Sequence, residues 1–312
     1  MLETADSKAI TTKNSSALGA RDTLELVESS KEVIRQGSKS FSFASMFFEQ
    51  REKEGAWLLY SWCRLCDDAV DQAESQASAL RKLDWLEEQT RLALTTEDHL
   101  IHPAFEGLRV LKKDYLLPIE LPLDLLSGMR MDVEGFRPQT FDDLVKYCYH
   151  VAGVVGLMMC HIMDVRSEKA HMHAIAFGNA LQMTNIIRDV KEDWNMGRIY
   201  IPLEWITEIG IDADRFQEHL PQWPLLIAKL SEAADKRYQF GREGLHFLPW
   251  RCRLACRIAG TVYQRIGITA LQLGPRAWNQ RIVVPLPTKI GMAMKEIFAQ
   301  AKETLLQILR LN

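Results

Sequence analysis

Apolar residues recur every three or four positions along nearly the whole chain after residue 20, and this spacing limits the fold more than any other feature. Leu80, Leu83 and Leu86 illustrate the period, which places side chains on one face of an α-helix. Strand-like alternation is scarce, with one short β-branched run, RIVVP, at residues 281–285. The pattern predicts an all-α protein.

The breaks between helical stretches are short, so no linker divides the chain. In one of them Thr140 and Asp143 have the spacing of a capping box that opens the next helix. With 312 residues and 47% apolar content, the chain can bury one large core. We predict one domain of about ten helices over residues 21–312. The predicted breaks lie near residues 97–103, 117–122, 135–140, 197–202 and 285–287.

Residues 1–20 include Glu3 and Asp6 and lack the apolar core of a signal peptide, so we predict a flexible polar tail and a cytoplasmic protein. No uninterrupted apolar run approaches the roughly 18 residues of a membrane span. The net charge is −3 and the basic residues are scattered, which argues against nucleic acid as a partner.

The close cysteine pairs Cys63/Cys66 and Cys252/Cys256 suggest a zinc or redox site. Both pairs, however, fall inside helical stretches without the Gly or Pro of a zinc-binding turn. We therefore expect reduced thiols that act as small core residues.

Two helical stretches each carry a stripe of polar residues with paired carboxylates. In the first, Asp67 and Asp71 are four positions apart, so both carboxylates leave the same face of the helix. Steps of three and four backward from Asp67 reach Arg64 and Tyr60. A tyrosine, an arginine and two aspartates therefore form one stripe.

The second stripe consists of Gln182, Asn185, Asp189 and Asp193, with Arg188 beside it. A single stripe of this kind is explained equally well by a solvated surface. The surrounding sequence is strongly apolar, however, and paired like charges beside a core are unfavourable without a cation. The presence of two matching stripes therefore favours a binding site.

Carboxylate and amide oxygens are ligands that suit Mg²⁺ or Mn²⁺ rather than zinc. Mg²⁺ completes its shell with water and substrate phosphates, and arginines bind phosphate in a bidentate manner. The two stripes therefore predict a diphosphate held between two facing helices. The chain has no glycine-rich phosphate loop, which argues against P-loop and Rossmann enzymes.

In four segments the chain resembles the squalene/phytoene synthase family, and the similarity covers nearly everything after the tail. One family signature is similar to YSWCRLCDDAVD at residues 60–71, and a second to QMTNIIRDVKEDWNMGRIYIP at residues 182–202. The family's apolar pocket helix resembles YCYHVAGVVG at residues 147–156. A flap that meets the diphosphate resembles GSKSF at residues 37–41.

The resemblance implies a class I isoprenoid synthase fold, a single-domain helical bundle around a central cavity. It also implies Mg²⁺, which Mn²⁺ can replace, and no nicotinamide cofactor. The implied metal ligands are Asp67, Asp71, Asn185, Asp189 and Asp193. The implied catalytic residues are Tyr60, Arg64, Arg188, Arg198 and Tyr263. The implied substrate-binding residues are Gly37, Ser38, Lys39, Ser40, Phe41, Asp132, Tyr147, Ala152, Gly156 and Gln182.

Two positions depart from the family pattern. Gly37 stands where relatives often carry histidine, and Asp68 adds an acid to the first signature. For the aromatic residues and for the small residues 151–156, ordinary helix packing is an equally good explanation.

The implied activity is a head-to-head (1′–1) condensation in carotenoid biosynthesis. Two geranylgeranyl diphosphates are joined through a cyclopropyl (prephytoene) diphosphate to give phytoene, with release of diphosphate. Squalene or dehydrosqualene synthesis from farnesyl diphosphate is the main alternative, and squalene synthesis also needs NADPH. Head-to-tail prenyl transferases and terpene cyclases have different signatures. A non-catalytic scaffold of this fold is expected to have lost ligand aspartates, and this chain keeps them.

The C-terminal stretch, residues 289–311, is amphipathic. Packing on the bundle is one explanation. Transient contact with a membrane surface is the other, since a C40 hydrocarbon product has to leave into lipid. The apolar side would consist of Ile290, Met294, Ile297, Phe298, Ala301, Leu305 and Leu309.

Overall fold

The computed structural model describes residues 20–98, 100–279 and 281–311, and within them the chain is helical with no β-strand. The all-α prediction is confirmed. The predicted tail lies outside the described residues except for Ala20, which begins the first helix. The α-helices are α1 (Ala20–Gly37), α2 (Lys39–Ser45), α3 (Gln50–Asp71), α4 (Gln76–Thr95), α5 (Pro103–Tyr115), α6 (Glu120–Val133), α7 (Phe141–Cys148), α8 (Val154–Ile162), α9 (Glu168–Asn195), α10 (Leu203–Glu208), α11 (Trp223–Glu243), α12 (Trp250–Leu273) and α13 (Leu286–Leu311).

Shorter helical segments join several of these helices. A π-helical segment, Tyr149–Gly153, connects α7 and α8, and 3₁₀ segments cover Ala213–Gln222, Gly244–Phe247 and Gly274–Asn279. All five predicted breaks overlap segments between helices. Breaks at residues 46–49, 72–75 and 163–167 were not predicted, so the described residues form thirteen α-helices where about ten were expected. Thr140 accepts from the Asp143 backbone N–H while the Asp143 carboxylate accepts from the Thr140 N–H, so the predicted capping box is present.

Helix α9 is the centre of the bundle and packs against α8, α11, α12 and the π-helical segment. One large apolar cluster joins α9 to α11, α12 and α10, and includes the fully buried Trp223 and Leu230. A second cluster joins α3 to α4, α5, α6 and α8 around the fully buried Trp62 and Leu86. The two acid-bearing helices, α3 and α9, thus belong to different halves of the core, and the site lies between them.

The continuous helix Phe141–Ile162 has the length and apolar composition of a membrane span, the one such helix in the part of the chain that the structure describes. Polar residues interrupt its apolar run, so the sequence pattern did not predict it. In the structure this helix lines internal cavities with Val151, Ala152, Val155 and Gly156. An internal location for an apolar helix is a common alternative to membrane insertion.

All six cysteines are free thiols, as predicted. Burial raises the pKa of Cys66 and raises that of Cys148 to about 12, so these thiols stay protonated. They pack as small core side chains.

Candidate active site

The two acid stripes face one polar pocket. Helix α3 contributes Asp67 and Asp71, and α9 contributes Asn185, Asp189 and Asp193. Each set lies on one side of its helix because the residues are spaced by three or four. The structure therefore brings together the side chains that the sequence placed on two separate helices.

Asp67 is reached by solvent from the pocket but is otherwise surrounded by protein. Burial, followed by the nearby charge of Asp71, raises the pKa of Asp67 to about 7. The outermost acid, Asp71, has a partner across the pocket, since Arg198 Nη2 lies 3.4 Å from its Oδ1. Positive charge is therefore favoured between these carboxylates.

Arg64 differs from the other predicted catalytic residues. Its guanidinium pairs with Asp68 one turn along α3, with Nε 3.0 Å from the Asp68 carboxylate, and it lines neither the polar pocket nor the adjoining cavity. The additional acid of the first signature therefore turns this arginine toward the helix surface.

On α9, Arg188 and Asp189 form a partly buried ion pair with Arg188 Nε 2.7 Å from the carboxylate. Burial, followed by the charge of Asp189, raises the pKa of Asp193 to about 7. The Asn185 amide N–H donates to Gln182 Oε1 at 3.2 Å, whereas Asn185 Oδ1 is buried with no hydrogen-bond partner. A buried carbonyl oxygen without a donor is costly unless a ligand or ion satisfies it.

Asp132 links the far wall of the pocket to two aromatic rings. It accepts hydrogen bonds from the hydroxyls of Tyr147 at 3.0 Å and Tyr200 at 2.7 Å, and burial raises its pKa. The Tyr147 ring is stacked between Phe136 and Tyr200, with centroid distances of 5.4 and 4.8 Å. Tyr147 thus lies on the wall of the polar pocket, with its ring face covered.

An apolar cavity adjoins the polar pocket and shares Val151, Gln182 and Asn185 with it. It encloses about 1450 Å³, including the part open to solvent at its mouth. Its lining includes the aromatic residues Phe41, Tyr60 and Tyr263. Polar side chains therefore stand at one end and an apolar chamber at the other, an arrangement suited to an amphiphile with an anionic head.

The flap predicted at residues 37–41 spans the start of α2. Ser38 caps this helix by accepting from the Phe41 N–H at 3.2 Å, and both residues line the cavity. A Cβ atom at Gly37 would lie 2.3 Å from the Tyr60 hydroxyl. Glycine at this position therefore lets Tyr60 approach the flap, which gives a physical reason for the departure from the family pattern. Gly37, Lys39 and Ser40 do not line either cavity.

Ala152 and Gly156 line the apolar cavity and also permit close helix packing. A Cβ at Gly156 would lie 2.5 Å from the backbone oxygen of Ala174, and one at Gly178 would lie 2.4 Å from that of Ala152. Both explanations that the sequence left open therefore hold, because one face of the helix packs while an adjacent face borders the cavity.

The sequence pattern did not predict the positions of two further cations, one in the pocket and one buried at the start of α13. Arg281 lines the polar pocket from the loop before α13. Lys289 has 4% of its surface exposed, and burial followed by the charge of Lys39 lowers its pKa. No carboxylate of the described residues pairs with Lys289. The one signal in the sequence for Lys289 was its position on the inner side of the amphipathic helix α13.

The donor atoms of the site suit a divalent cation, because they are hard carboxylate oxygens and the unsatisfied Asn185 oxygen. Two of the carboxyl groups, Asp67 and Asp193, have raised pKa values. Within the described residues, no three His, Cys, Asp or Glu side chains are close enough together to hold a metal ion by themselves. Mg²⁺ commonly uses one or two carboxylates and takes its other ligands from water and substrate phosphates.

The family model that matches this chain is described as squalene/phytoene synthase and covers residues 34–288. The chain is 37% identical to a 15-cis-phytoene synthase from Enterobacter agglomerans over 266 residues, which are 82% of this chain and 90% of the relative. It is 36% identical to a 15-cis-phytoene synthase from Paracoccus sp. over 274 residues, 86% of this chain and 90% of the relative.

Two solved structures are also similar. A dehydrosqualene synthase in complex with a ligand superposes with a TM-score of 0.83 at 27% identity, covering 90% of this chain and 99% of that one. A squalene synthase from Alicyclobacillus acidocaldarius superposes with a TM-score of 0.75 at 24% identity, covering 84% and 98%. The latter likeness supports the shared fold alone.

Proposed function

This chain belongs to the squalene/phytoene synthase family and is an enzyme of the prenyl-transferase type, and we propose that it joins two geranylgeranyl diphosphates head to head to form phytoene. The reaction passes through a cyclopropyl (prephytoene) diphosphate and releases two diphosphates.

The observation that carries the proposal is the junction of the two cavities. Gln182 and Asn185 border both the pocket with the acid stripes and the apolar chamber. The carbon–oxygen bond that ionises in an allylic diphosphate lies between its anionic head and its apolar chain. A substrate bound across the junction therefore places its reacting carbon beside these two residues.

The cation that fits this donor set is Mg²⁺, and Mn²⁺ can replace it. The residues that would hold it are Asp67, Asp71, Asn185, Asp189 and Asp193. When bound, it supplies positive charge that neutralises the diphosphates and acts as a Lewis acid on the leaving group.

The chain's own cations act on the diphosphates. Arg188, Arg198 and Arg281 line the polar pocket and offer planar donors for phosphate oxygens. Fixed charges stabilise the negative charge that develops as each diphosphate departs, and no reorganisation of solvent is needed.

The allylic cation is protected by the apolar chamber, which excludes water from the reacting carbons. Phe41, Tyr60 and Tyr263 line the chamber, and the faces of aromatic rings stabilise positive charge. Burial raises the pKa of Tyr60 to about 12, so its hydroxyl stays neutral. Each half-reaction loses one diphosphate and one proton. In the first, the electron pairs of a substrate double bond and of the C–H bond that loses its proton form the two new ring bonds; in the second, cyclopropane C–C bonds rearrange and proton loss forms the new double bond. No reductant is therefore consumed.

The length of the chamber supports C20 substrates. It is lined by α9 from Asn185 to Ala170, a distance of about 22 Å at 1.5 Å per residue. An extended carbon chain advances roughly 1.2 Å per bond, so a C20 prenyl chain measures about 18 Å and a C15 chain about 13 Å. The longer chain fills most of the chamber.

Dehydrosqualene or squalene synthesis from farnesyl diphosphate is the second candidate. It is favoured by the extent of the superposition on a dehydrosqualene synthase. The two candidates differ in substrate length and, for squalene, in the need for a hydride donor. They make the same use of the two acid stripes.

One assay separates these functions. The purified full chain is incubated with Mg²⁺ and either geranylgeranyl or farnesyl diphosphate, with and without NADPH, and the hydrocarbon products are identified. We expect phytoene from the C20 substrate without reductant. A C30 product formed at least as efficiently from the C15 substrate would move the assignment to the second candidate.

The role of the acids is tested by Asp189→Asn against the matched control Glu192→Gln, an exposed acid on the same helix outside the pocket. We expect the first variant to lose turnover while it stays folded at the assay temperature, and the second to keep the turnover and the unfolding temperature of the parent. Near-normal turnover in Asp189→Asn would remove the proposed assignment of this stripe.

A further inference from the structure

The segment between α12 and α13, residues 274–285, runs from the core of the protein to the polar pocket, and we call it the arm. It begins with the 3₁₀ segment Gly274–Asn279, which packs against α9, α11 and α12. The described residues that follow, 281–285, belong to no helix or strand. The position of this second half of the arm therefore depends on side-chain contacts.

Trp278 anchors the arm to α9. Its indole N–H donates to the backbone oxygen of Ile187 at 2.9 Å, and its buried ring lies edge-on to that of Trp223 at a centroid distance of 5.5 Å. At 100° per residue, Ile187 lies about 160° around α9 from Asn185 and from Asp189, so it faces away from the acid stripe. A carbonyl inside a helix already has the N–H four residues on as its partner. The additional indole donor therefore fixes the arm at one defined level of α9.

The residues after Trp278 alternate between core and solvent. Ile282 and Val284 are buried in the same apolar cluster as Trp278, whereas Arg281 and Val283 are exposed. Arg281 lines the polar pocket. Three residues of chain span at most about 10 Å, so the Arg281 backbone is confined while Trp278 and Ile282 are held. The arm thus passes round α9 from a buried anchor to the rim of the pocket.

Arg281 differs from the other two arginines of the pocket in its partners. Arg188 pairs with Asp189, and Arg198 lies 3.4 Å from Asp71. No carboxylate in the described portion of the chain forms an ion pair with Arg281. Its guanidinium is therefore available to an anionic ligand. A guanidinium binds phosphate best when its planar fork is held at a suitable distance and angle.

We propose that Trp278 is a positioning residue of the site. Its hydrogen bond to α9 fixes the arm, and the fixed arm holds Arg281 at the rim of the pocket, where the guanidinium binds a phosphate group. This role rests on the proposed function, since it takes a diphosphate as the anion in the pocket. Holding the backbone in advance reduces the conformational entropy that is lost when the arginine binds, and this strengthens binding.

The test measures the affinity of the full chain for inorganic pyrophosphate at saturating Mg²⁺ by isothermal titration calorimetry, which involves no prenyl chain. Trp278→Phe keeps an aromatic ring and removes the indole N–H. The matched control is Trp62→Phe, because Trp62 is also buried but its indole N–H has no hydrogen-bond partner among the described residues. Arg281→Met and the double variant Trp278→Phe/Arg281→Met complete a double-mutant cycle. All variants are compared at a temperature where circular dichroism shows them folded.

We expect Arg281→Met to raise the Kd for pyrophosphate at least about tenfold, the effect of losing a hydrogen bond to a charged group. Trp278→Phe should raise the Kd about fivefold, and the double variant should bind at most about twofold more weakly than Arg281→Met alone. Trp62→Phe should stay within about twofold of the parent. An unchanged Kd in Trp278→Phe would overturn the proposal. Losses that add in the double variant would also overturn it, because Trp278 would then act independently of Arg281.

A second replacement preserves the shape of the side chain, so it does not depend on how the core accommodates phenylalanine. Benzothienylalanine at position 278 exchanges the indole N–H for a sulfur atom in a ring of nearly the same size. We expect the same loss of pyrophosphate affinity as in Trp278→Phe, and no loss when the replacement is made at position 62. Parent-like binding after the replacement at position 278 would assign the effect of Trp278→Phe to packing and contradict the positioning role.

Product formation by the same proteins separates this inference from the proposed function. If the variants follow the expected pyrophosphate pattern but the parent forms no hydrocarbon from either prenyl diphosphate, the proposed function fails and the role of Trp278 stands. If the parent forms phytoene while Trp278→Phe binds pyrophosphate normally, the role of Trp278 fails alone. A parent that forms phytoene but binds no pyrophosphate would also refute the role of Trp278.

Discussion

Filling the far half of the apolar chamber should change the length of substrate that the enzyme accepts. Ala174 lines the chamber eleven positions before Asn185 on α9, which places it about 16 Å from the junction with the polar pocket. The substitution Ala174→Leu adds a branched side chain there. The remaining depth is shorter than the roughly 18 Å of an extended C20 chain but longer than the roughly 13 Å of a C15 chain.

The expected magnitude follows from the displaced carbons. If the terminal isoprene unit of the C20 substrate lost its burial entirely, the loss would be about 4 kcal/mol at about 0.8 kcal/mol per carbon. Partial accommodation elsewhere reduces this value, so we expect kcat/KM for geranylgeranyl diphosphate to fall at least about tenfold. The value for farnesyl diphosphate should stay within about threefold of the parent.

The assay measures kcat/KM for both substrates and the unfolding temperature of each variant. The matched control is Ala176→Leu, the same change on the same helix at a position that does not line the chamber. A variant Ala174→Leu that is folded and keeps its C20 activity would refute the idea that the prenyl chain extends along α9.

Three further perturbations follow, two at the polar pocket and one at the buried Lys289 of α13. Asn185→Ala removes a buried oxygen that has no partner, so we expect an unfolding temperature equal to or above that of the parent, while kcat/KM measured at saturating Mg²⁺ falls at least about 100-fold. Lys289→Met removes an enclosed ammonium group, and thermal scans should show a rise of about 2 °C in the unfolding temperature. Burial raises the pKa of Asp132 above 3.8, so its contribution to stability is present at low pH and is lost as pH rises through the raised pKa. Asp132→Asn should therefore gain stability relative to the parent between pH 4 and pH 8 in thermal scans, and a constant difference would contradict the assigned burial.

The helices and the two acid stripes could be predicted because they depend on short-range spacing. Asp67 and Asp71 share a face of α3 in any α-helix, and so do Asn185 and Asp189 on α9. The capping residue Thr140 likewise acts within one helical turn. These predictions needed no knowledge of which helices meet.

Other parts of the site depend on contacts between distant segments. Arg281 belongs to no motif of the pocket, and it lines the pocket only because the loop before α13 folds back against the two acid stripes. Arg64 was assigned to the leaving group by resemblance, whereas the structure pairs it with Asp68. The choice between these partners depends on where the side chain can reach, which a spacing of residues does not specify.

By itself, the amino-acid sequence determined that this chain is helical, that two of its helices carry paired carboxylates, and that its family joins prenyl diphosphates. The tertiary structure decided which helix faces meet, and therefore that one pocket receives both stripes, that Asn185 presents an unpartnered oxygen, and that α13 keeps an apolar stripe in solvent. The physical reason is the distance along the chain over which each kind of interaction acts. Helix formation and its periodicity are set within a few residues, whereas burial, charge pairing and exposure depend on neighbours brought together from the whole chain.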